Sequence, residues 1–285
     1  MKVDYIVKQF SSGEYDVKLN GRIYGDTAEV YWNWFAPNER DLMIPLMVAD
    51  AVRRQYGEAV KLTLVANYLP YARQDRVFEA GNALPIEVLT KLLRGAYHEV
   101  RTMGLHCAEG YVGVNQKFNP NSLPRGYNLV FPDVSAKNHY ELGSAWVRDG
   151  IGCGGISLGR FNIQPQCITI RKVRTNDGIK GQIVDDDSFE RVNAGTPFLL
   201  IDDLVAGGRS FINAAQLLKQ QFGESIKVEL MVYHAFLDYG VDALKDAGIS
   251  KIYIINPDSY EYIVGLYPTE VDYFEFVPIE NIVRY

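Results

Sequence analysis

Cysteine is scarce in this chain: Cys107, Cys153 and Cys167 are the only three in 285 residues. They form no CxxC pair and no metal-type spacing, so they read as reduced thiols in a reducing compartment rather than a disulfide or zinc framework. Basic residues are outnumbered, 29 Lys and Arg against 35 Asp and Glu, a formal charge of −6. That balance argues against broad electrostatic binding to nucleic acid. No apolar run approaches the ~18 residues of a membrane span. The opening MKVDYIVKQF carries Asp4 and lacks the apolar core of a secretory signal. Low-complexity segments and short-period repeats are missing as well. A cytoplasmic protein with neither nucleic-acid nor membrane partners is expected.

What is present suits a soluble enzyme, with 47% hydrophobic and 22% charged residues. Short strands are predicted around Tyr5 and Val7, Tyr15 and Val17, and Val30 to Trp32, separated by Ser-Ser-Gly and Asn-Gly turns. A helix over Asn38 to Tyr56 follows, with Pro45 tolerable near its first turn. Then come a strand at Lys61 to Ala66, a helix at Leu84 to Tyr97, and strands at Val100 to Met103 and Asn128 to Phe131. A second series comprises a helix at Ala136 to Val147, strands at Ile156 to Leu158 and Cys167 to Val173, a strand entering Asp202, and strands at Val228 to Tyr233 and Ile252 to Ile255 with a helix at Val241 to Ala247. Alternating strands and helices imply a parallel sheet in each half. The halves are placed at 1–140 and 141–285.

The stretch FLLIDDLVAGGRSFINAAQLLK, Phe198 to Lys219, organises the chemistry. An apolar run enters Asp202 and Asp203, and Ala206, Gly207 and Gly208 make a small-residue turn. Phe211, Ala214, Ala215 and Leu218 then recur at helical spacing. A buried parallel strand, a turn and a helix read this way, and ligands of such sheets sit at the carboxyl ends of strands. The glycines let backbone N–H groups approach an anion, and Ser210 is expected to cap the helix. Acids for ribose hydroxyls or Mg²⁺, then an anion cradle, suit a sugar phosphate. The bland alternative is a surface turn with two solvated acids.

Four other stretches carry candidate groups. In YLPYARQDR, Arg73, Gln74, Asp75 and Arg76 offer forks for phosphate oxygens and groups for a purine edge, or else a solvated loop laced with ion pairs. LHCAEG places His106 after a strand and beside Glu109, in a structural, phosphate-contacting or metal-contacting role. FPDVSAK puts Asp133 at a strand end, as a helix N-cap or a holder of Mg²⁺-bound water. IRKVR ends a strand with Arg171, Lys172 and Arg174 and leads into a TNDG turn. It reads as a basic surface turn or as cations delivered by a mobile loop to a transferring phosphoryl group.

In order, these stretches resemble the ribose-phosphate diphosphokinase (phosphoribosyl pyrophosphate synthetase) family over nearly the full chain. FSSGEYDVKL is similar to its FxxGE segment, so Phe10 and Glu14 are expected at adenine. NERDLMIPLMVADAVRR resembles its DLM helix, and YARQDR is nearly letter for letter its ATP-binding segment, giving Arg73, Gln74 and Asp75. LHCAEG stands where the family has DLHA, FPDVS parallels its SPD segment, and IRKVR its catalytic flexible loop. LLIDDLVAGGRS parallels the ribose-phosphate motif VDDxxxTxGT. The resemblance implies two phosphoribosyltransferase-like domains, each a mainly parallel sheet flanked by helices, with ATP on the N-terminal side and the ribose phosphate on the C-terminal side. It implies a Mg²⁺-dependent transfer of the diphosphoryl group of ATP to the C1 hydroxyl of a 5-phosphorylated ribose, with AMP released. Catalysis would fall to Lys172, Arg174 and His106, and metal contacts to His106 and Asp133. The sugar phosphate would fall to Asp202, Asp203, Ala206, Gly207, Gly208, Arg209 and Ser210. A homo-oligomer, dimer or hexamer, is implied too.

The departures are chemical. Gly104 replaces the acid of DLHA, and Ser135 and Ala136 stand where the family has a Gly pair. In the sugar-phosphate motif Ala206, Gly207 and Arg209 replace Asp, Thr and Gly. Hydroxyls and a carboxylate go, and a cation arrives. Such a loop suits a 5-phosphate already esterified, as in ADP-ribose, the acceptor of phage-type NAD-rebuilding variants that work in the host cytoplasm. Ribose 5-phosphate is the other acceptor. The rival classes are a non-catalytic regulatory relative, which has no use for Lys172 and Arg174, and a phosphoribosyltransferase, which needs no YARQDR.

Overall fold

The computed structural model describes residues 1–106, 114–116, 126–136, 167–175, 178–184 and 192–278. The chain divides into two compact units, Met1–Lys117 and Phe118–Tyr285. The division falls earlier than the expected 140/141, because the strand at Asn128–Phe131 pairs with Phe198–Leu200 and so belongs to the second sheet.

The first unit opens with an antiparallel hairpin of β1 (Tyr5–Gln9) and β2 (Tyr15–Leu19). A parallel four-stranded sheet follows in the order β3 (Thr27–Tyr31), β4 (Lys61–Val65), β5 (Glu99–Met103), β6 (Val114–Gln116). Two helices cover it, α1 (Met43–Tyr56) and α2 (Pro85–Ala96). Ile86, Leu89 and Leu93 of α2, at i, i+3 and i+7, share a buried core with Val48 and Val52 of α1 and with Val30, Leu62, Leu64 and Val100 of the sheet. The helix expected from Asn38 begins later. A 3₁₀ turn spans Pro37–Glu39, and Asp41 Oδ1 accepts the Met43 N–H at 2.8 Å, so Pro45 falls in the first turn where its missing N–H costs nothing.

In the second unit a seven-stranded sheet runs β13 (Phe274–Phe276), β12 (Ile249–Ile254), β11 (Val228–Ala235), β10 (Phe198–Val205), β7 (Asn128–Phe131), β8 (Cys167–Thr175), β9 (Gly178–Val184). Only the β8–β9 pair is antiparallel. Helices α3 (Arg209–Phe222), α4 (Asp242–Asp246) and α5 (Pro257–Leu266) pack on it. Phe211, Ala214, Ala215 and Leu218 meet Phe198, Leu200, Val228 and Leu230 in one core. Every residue of β11 is buried, including the polar Glu229 and His234.

The chain order matters to the site. From β7 the path runs one way through β8 and β9 and the other way from β10 to β13. The strand order therefore reverses between β7 and β10, and a crevice opens at their carboxyl ends by topology alone. The helix and strand expected within 137–147 and 156–158 lie outside the described residues, as do Cys107, Glu109 and Cys153.

Candidate active site

The reversal point carries the acids. Asp133 follows β7, and Asp202 and Asp203 lie on β10, which runs on through Val205 rather than stopping at the acids. Asp203 is buried and Asp202 half-buried. The Asp203 N–H donates to Asp202 Oδ1 at 2.9 Å. Burial pushes the Asp202 carboxyl well above the usual range, and the charge of Asp203, a hydrogen bond that protonated Asp202 donates to its carboxylate and the charge of Asp133 push the same way. The three carboxylates thus share one electrostatic neighbourhood. Asp133 also fulfils its capping alternative, since Oδ1 accepts the Ala136 N–H at 2.8 Å.

The turn after β10 is tight. Gly208 has φ 72 and is the N-cap of α3. Ser210, expected as the cap, is the second helical residue instead, because the left-handed turn at Gly208 starts the helix two residues earlier. No side chain caps this end. Its first-turn N–H groups and dipole suit an anion, and Arg209 stands exposed beside them. A side chain at 207 would collide with Tyr239, its Cβ 2.7 Å from Cε2.

The strand expected at Cys167 to Val173 is found and runs on to Thr175, so Arg171, Lys172 and Arg174 all lie within β8, with Lys172 opposite Gly181 and Arg174 opposite Ile179 on β9. The β-branched residues Ile168, Thr169, Ile170, Val173 and Thr175 favour an extended strand. The register pairs Thr175 with Gly178.

In the first unit YARQDR follows β4. Leu69 and Ala72 are buried in the core and Tyr68 packs on Phe35 with ring centroids 5.6 Å apart, which anchors the loop while Arg73 and Gln74 face solvent. Asp75 takes a bidentate fork from Arg76, both bonds at 3.1 Å, so the ion-pair alternative describes this pair. Tyr71 has φ 64, a left-handed backbone uncommon for an aromatic residue. Sequence reasoning gave no sign of that strain, which is often held at ligand sites. Phe10 and Glu14 sit at the β1–β2 tip, closed by Phe10 N–H to Glu14 O at 2.8 Å and Gly13 N–H to Phe10 O at 2.9 Å. Phe10 is 45% exposed, a ring offered to solvent. His106, half-buried, follows Gly104 at φ 56 and buried Leu105.

Among the described residues no three His, Cys, Asp or Glu side chains are arranged as a metal-ligand group. Mg²⁺ requires less, since one or two carboxylates suffice when substrate phosphates and water complete the shell. The oxygens of the Asp133, Asp202 and Asp203 neighbourhood are donors of that kind, and their mutual repulsion favours a cation among them.

Comparison with known proteins finds similarity to one family. Residues 2–96 match the N-terminal domain of ribose phosphate pyrophosphokinase. The ribose-phosphate pyrophosphokinase of Campylobacter jejuni is 25% identical over 230 residues, 77% of this chain and 68% of the relative. That of Thermococcus kodakarensis is 27% identical over 233 residues, 78% and 75% of the two chains. The chain is similar to ribose-phosphate pyrophosphokinases over most of its length. The fold agrees: the crystal structure of phosphoribosylpyrophosphate synthetase from Mycobacterium smegmatis matches with a TM-score of 0.68 at 20% identity, over 97% of this chain and 86% of that one. Ribose-phosphate pyrophosphokinases are diphosphokinase-type transferases, and the two α/β units of this chain fit that family. No helix among the described residues is long and apolar enough to cross a membrane.

Proposed function

We propose that this ribose-phosphate pyrophosphokinase relative transfers the β,γ-diphosphoryl group of ATP to the C1 hydroxyl of a 5-phosphorylated ribose. The observation that supports it best is the meeting of neighbouring acids and a helix N-terminus without a side-chain cap at the reversal between β7 and β10. Buried acids beside a phosphate-sized turn suit a pentose phosphate, with Asp202 and Asp203 accepting hydrogen bonds from its hydroxyls. The backbone of Ala206, Gly207, Gly208, Arg209 and Ser210 holds its 5-phosphate. The first unit supplies the nucleotide side, with Arg73 and Gln74 free to meet phosphate oxygens, Asp75 held to Arg76, and Phe10 and Glu14 at the adenine.

In the step itself the C1 oxygen attacks the β-phosphorus and loses its proton. The bond from that phosphorus to the oxygen bridging the α-phosphate breaks, and AMP leaves. Such transfers depend on positioning and charge neutralisation more than on covalent chemistry. Lys172 and Arg174 stabilise the transferring group, and His106 lies by the ATP phosphates. Mg²⁺ would supply charge neutralisation when bound with ATP; Asp133 would offer it a carboxylate in the second unit and His106 a ring nitrogen in the first. A cytoplasmic homo-oligomer, dimer or hexamer, completes the reading.

Two acceptors fit the sugar site. The names of the relatives favour ribose 5-phosphate. The turn after β10 favours ADP-ribose, because it has no hydroxyl at 206, 207 or 208 and presents Arg209 to solvent. A terminal phosphate dianion is best caged by several donors, whereas an esterified phosphate needs an open side. Incubation with ATP, Mg²⁺ and each acceptor, followed by mass spectrometry, tests the reading. AMP together with an acceptor heavier by one diphosphate is expected, and an unchanged acceptor in both reactions would refute it.

A further inference from the structure

The loop that follows β11 is fastened to the turn that follows β10. Phe236 N–H donates to Val205 O at 2.8 Å and Asp238 N–H to Ala206 O at 3.2 Å. Between them Leu237 has φ 54, a left-handed conformation strained for a leucine. Its side chain is buried, and its carbonyl accepts the Tyr267 hydroxyl at 3.2 Å and the Gly240 N–H at 2.8 Å. Backbone strain of this sort persists where surrounding bonds over-determine it, and ligand clamps are one such place.

The product of that fastening is the position of Tyr239. Its ring edge lies against Gly207, where an added Cβ would stand 2.7 Å from Cε2 and 3.1 Å from Cδ2. Glycine at 207 is what leaves room for the ring. Tyr239 is nevertheless 81% exposed, so the core gains little from it. A rigid aromatic ring is therefore kept in water, in fixed register with the backbone proposed to hold the 5-phosphate of the acceptor.

We propose that Tyr239 is a stacking platform for the base of a nucleoside-diphosphate-linked ribose such as ADP-ribose, which makes it a specificity-determining residue. This rests on the acceptor reading above. In such an acceptor the 5-phosphate is one end of a diphosphate, and the chain of atoms continues past the turn to a second phosphate and an adenosine. Arg209, exposed at the start of α3, meets the second phosphate, and the ring of Tyr239 offers the adenine a π-face. Ribose 5-phosphate ends at its phosphate and has nothing to place on the ring. Base–aromatic stacking tolerates variation in the base, so other purine diphosphoribosides would share the platform.

Titration calorimetry on the full chain without ATP separates the outcomes, with ADP-ribose and ribose 5-phosphate as the probes and with wild type, Tyr239→Ala and Tyr239→Phe. Tyr239→Ala is expected to weaken ADP-ribose binding about tenfold and to narrow its advantage over ribose 5-phosphate. Tyr239→Phe keeps the π-face and is expected to stay within about twofold of wild type. Equal ADP-ribose affinity in wild type and Tyr239→Ala overturns the platform and leaves the acceptor reading intact. Wild type that binds ribose 5-phosphate but not ADP-ribose overturns the acceptor reading itself, and the platform with it.

Discussion

Asp202 is the residue at which stability and function pull apart. Burial, the charge and hydrogen bond of Asp203 and the charge of Asp133 all raise its carboxyl pKa. A raised folded-state pKa means that the native protein holds the proton more tightly than the unfolded chain does. The favourable contribution is therefore present below the ordinary carboxylate pKa of about 4 and lost as pH rises through the elevated value. At neutral pH this carboxyl burdens the empty protein relative to low pH. Asp202→Asn should raise the Tm at pH 7 by roughly a few degrees, with the gain shrinking towards pH 4. The same substitution should weaken acceptor binding, because an amide is a poorer acceptor for hydroxyl donors than a carboxylate. Thermal unfolding across pH 4 to 8 checks the first expectation. A variant that is less stable at pH 7 would show that the acids are not in conflict.

At the scale of elements, much of the framework was legible in the chain. The 3.6-residue spacing of Ile86, Leu89 and Leu93 predicts the helix found at Pro85–Ala96, and the apolar run at Phe198 predicts β10. Other features escaped for identifiable reasons. The helix α5 opens with Asn256, whose side chain accepts from Asp258 N and Ser259 N, and Pro257 follows at its first position. That cap-and-proline signature was present in the sequence and went unread. The three-residue strands β6 and β13 are too short to show a period. β9 contains Gly178 and Gly181 and depends on pairing with β8, which lies beyond local propensity. The left-handed backbone at Tyr71 and Leu237 and the ring of Tyr239 against Gly207 were not legible, since they arise from long-range packing. Glycine placement supplies the test here. Gly208→Ala forces a Cβ into φ 72 with Leu244 Cδ2 at 3.0 Å, and should cost about 1–2 kcal/mol. Gly95→Ala, in α2 with nothing within 4 Å, should instead stabilise by up to about 1 kcal/mol. Denaturant unfolding of both variants measures the contrast, and a Gly208→Ala protein as stable as wild type would remove strain from the account of this turn.

For the molecule as a whole, the topology of the second unit matters more than any single contact. A chain that starts a sheet at β7 and builds outward in both directions must leave a crevice at the β7–β10 carboxyl ends. The acids and the turn are where that crevice requires them. The first unit contributes an anchored loop with two solvent-facing side chains, Arg73 and Gln74, and an aromatic hairpin tip. The central claim is the proposed transfer of a diphosphate from ATP to a 5-phosphorylated ribose. Phosphorus NMR of a reaction with ATP, Mg²⁺ and the acceptor follows that transfer directly. The account predicts that the α-phosphorus appears in AMP while the β and γ signals remain coupled to each other in the sugar product. Formation of ADP, with the γ-phosphorus on the acceptor or free in solution, would contradict it.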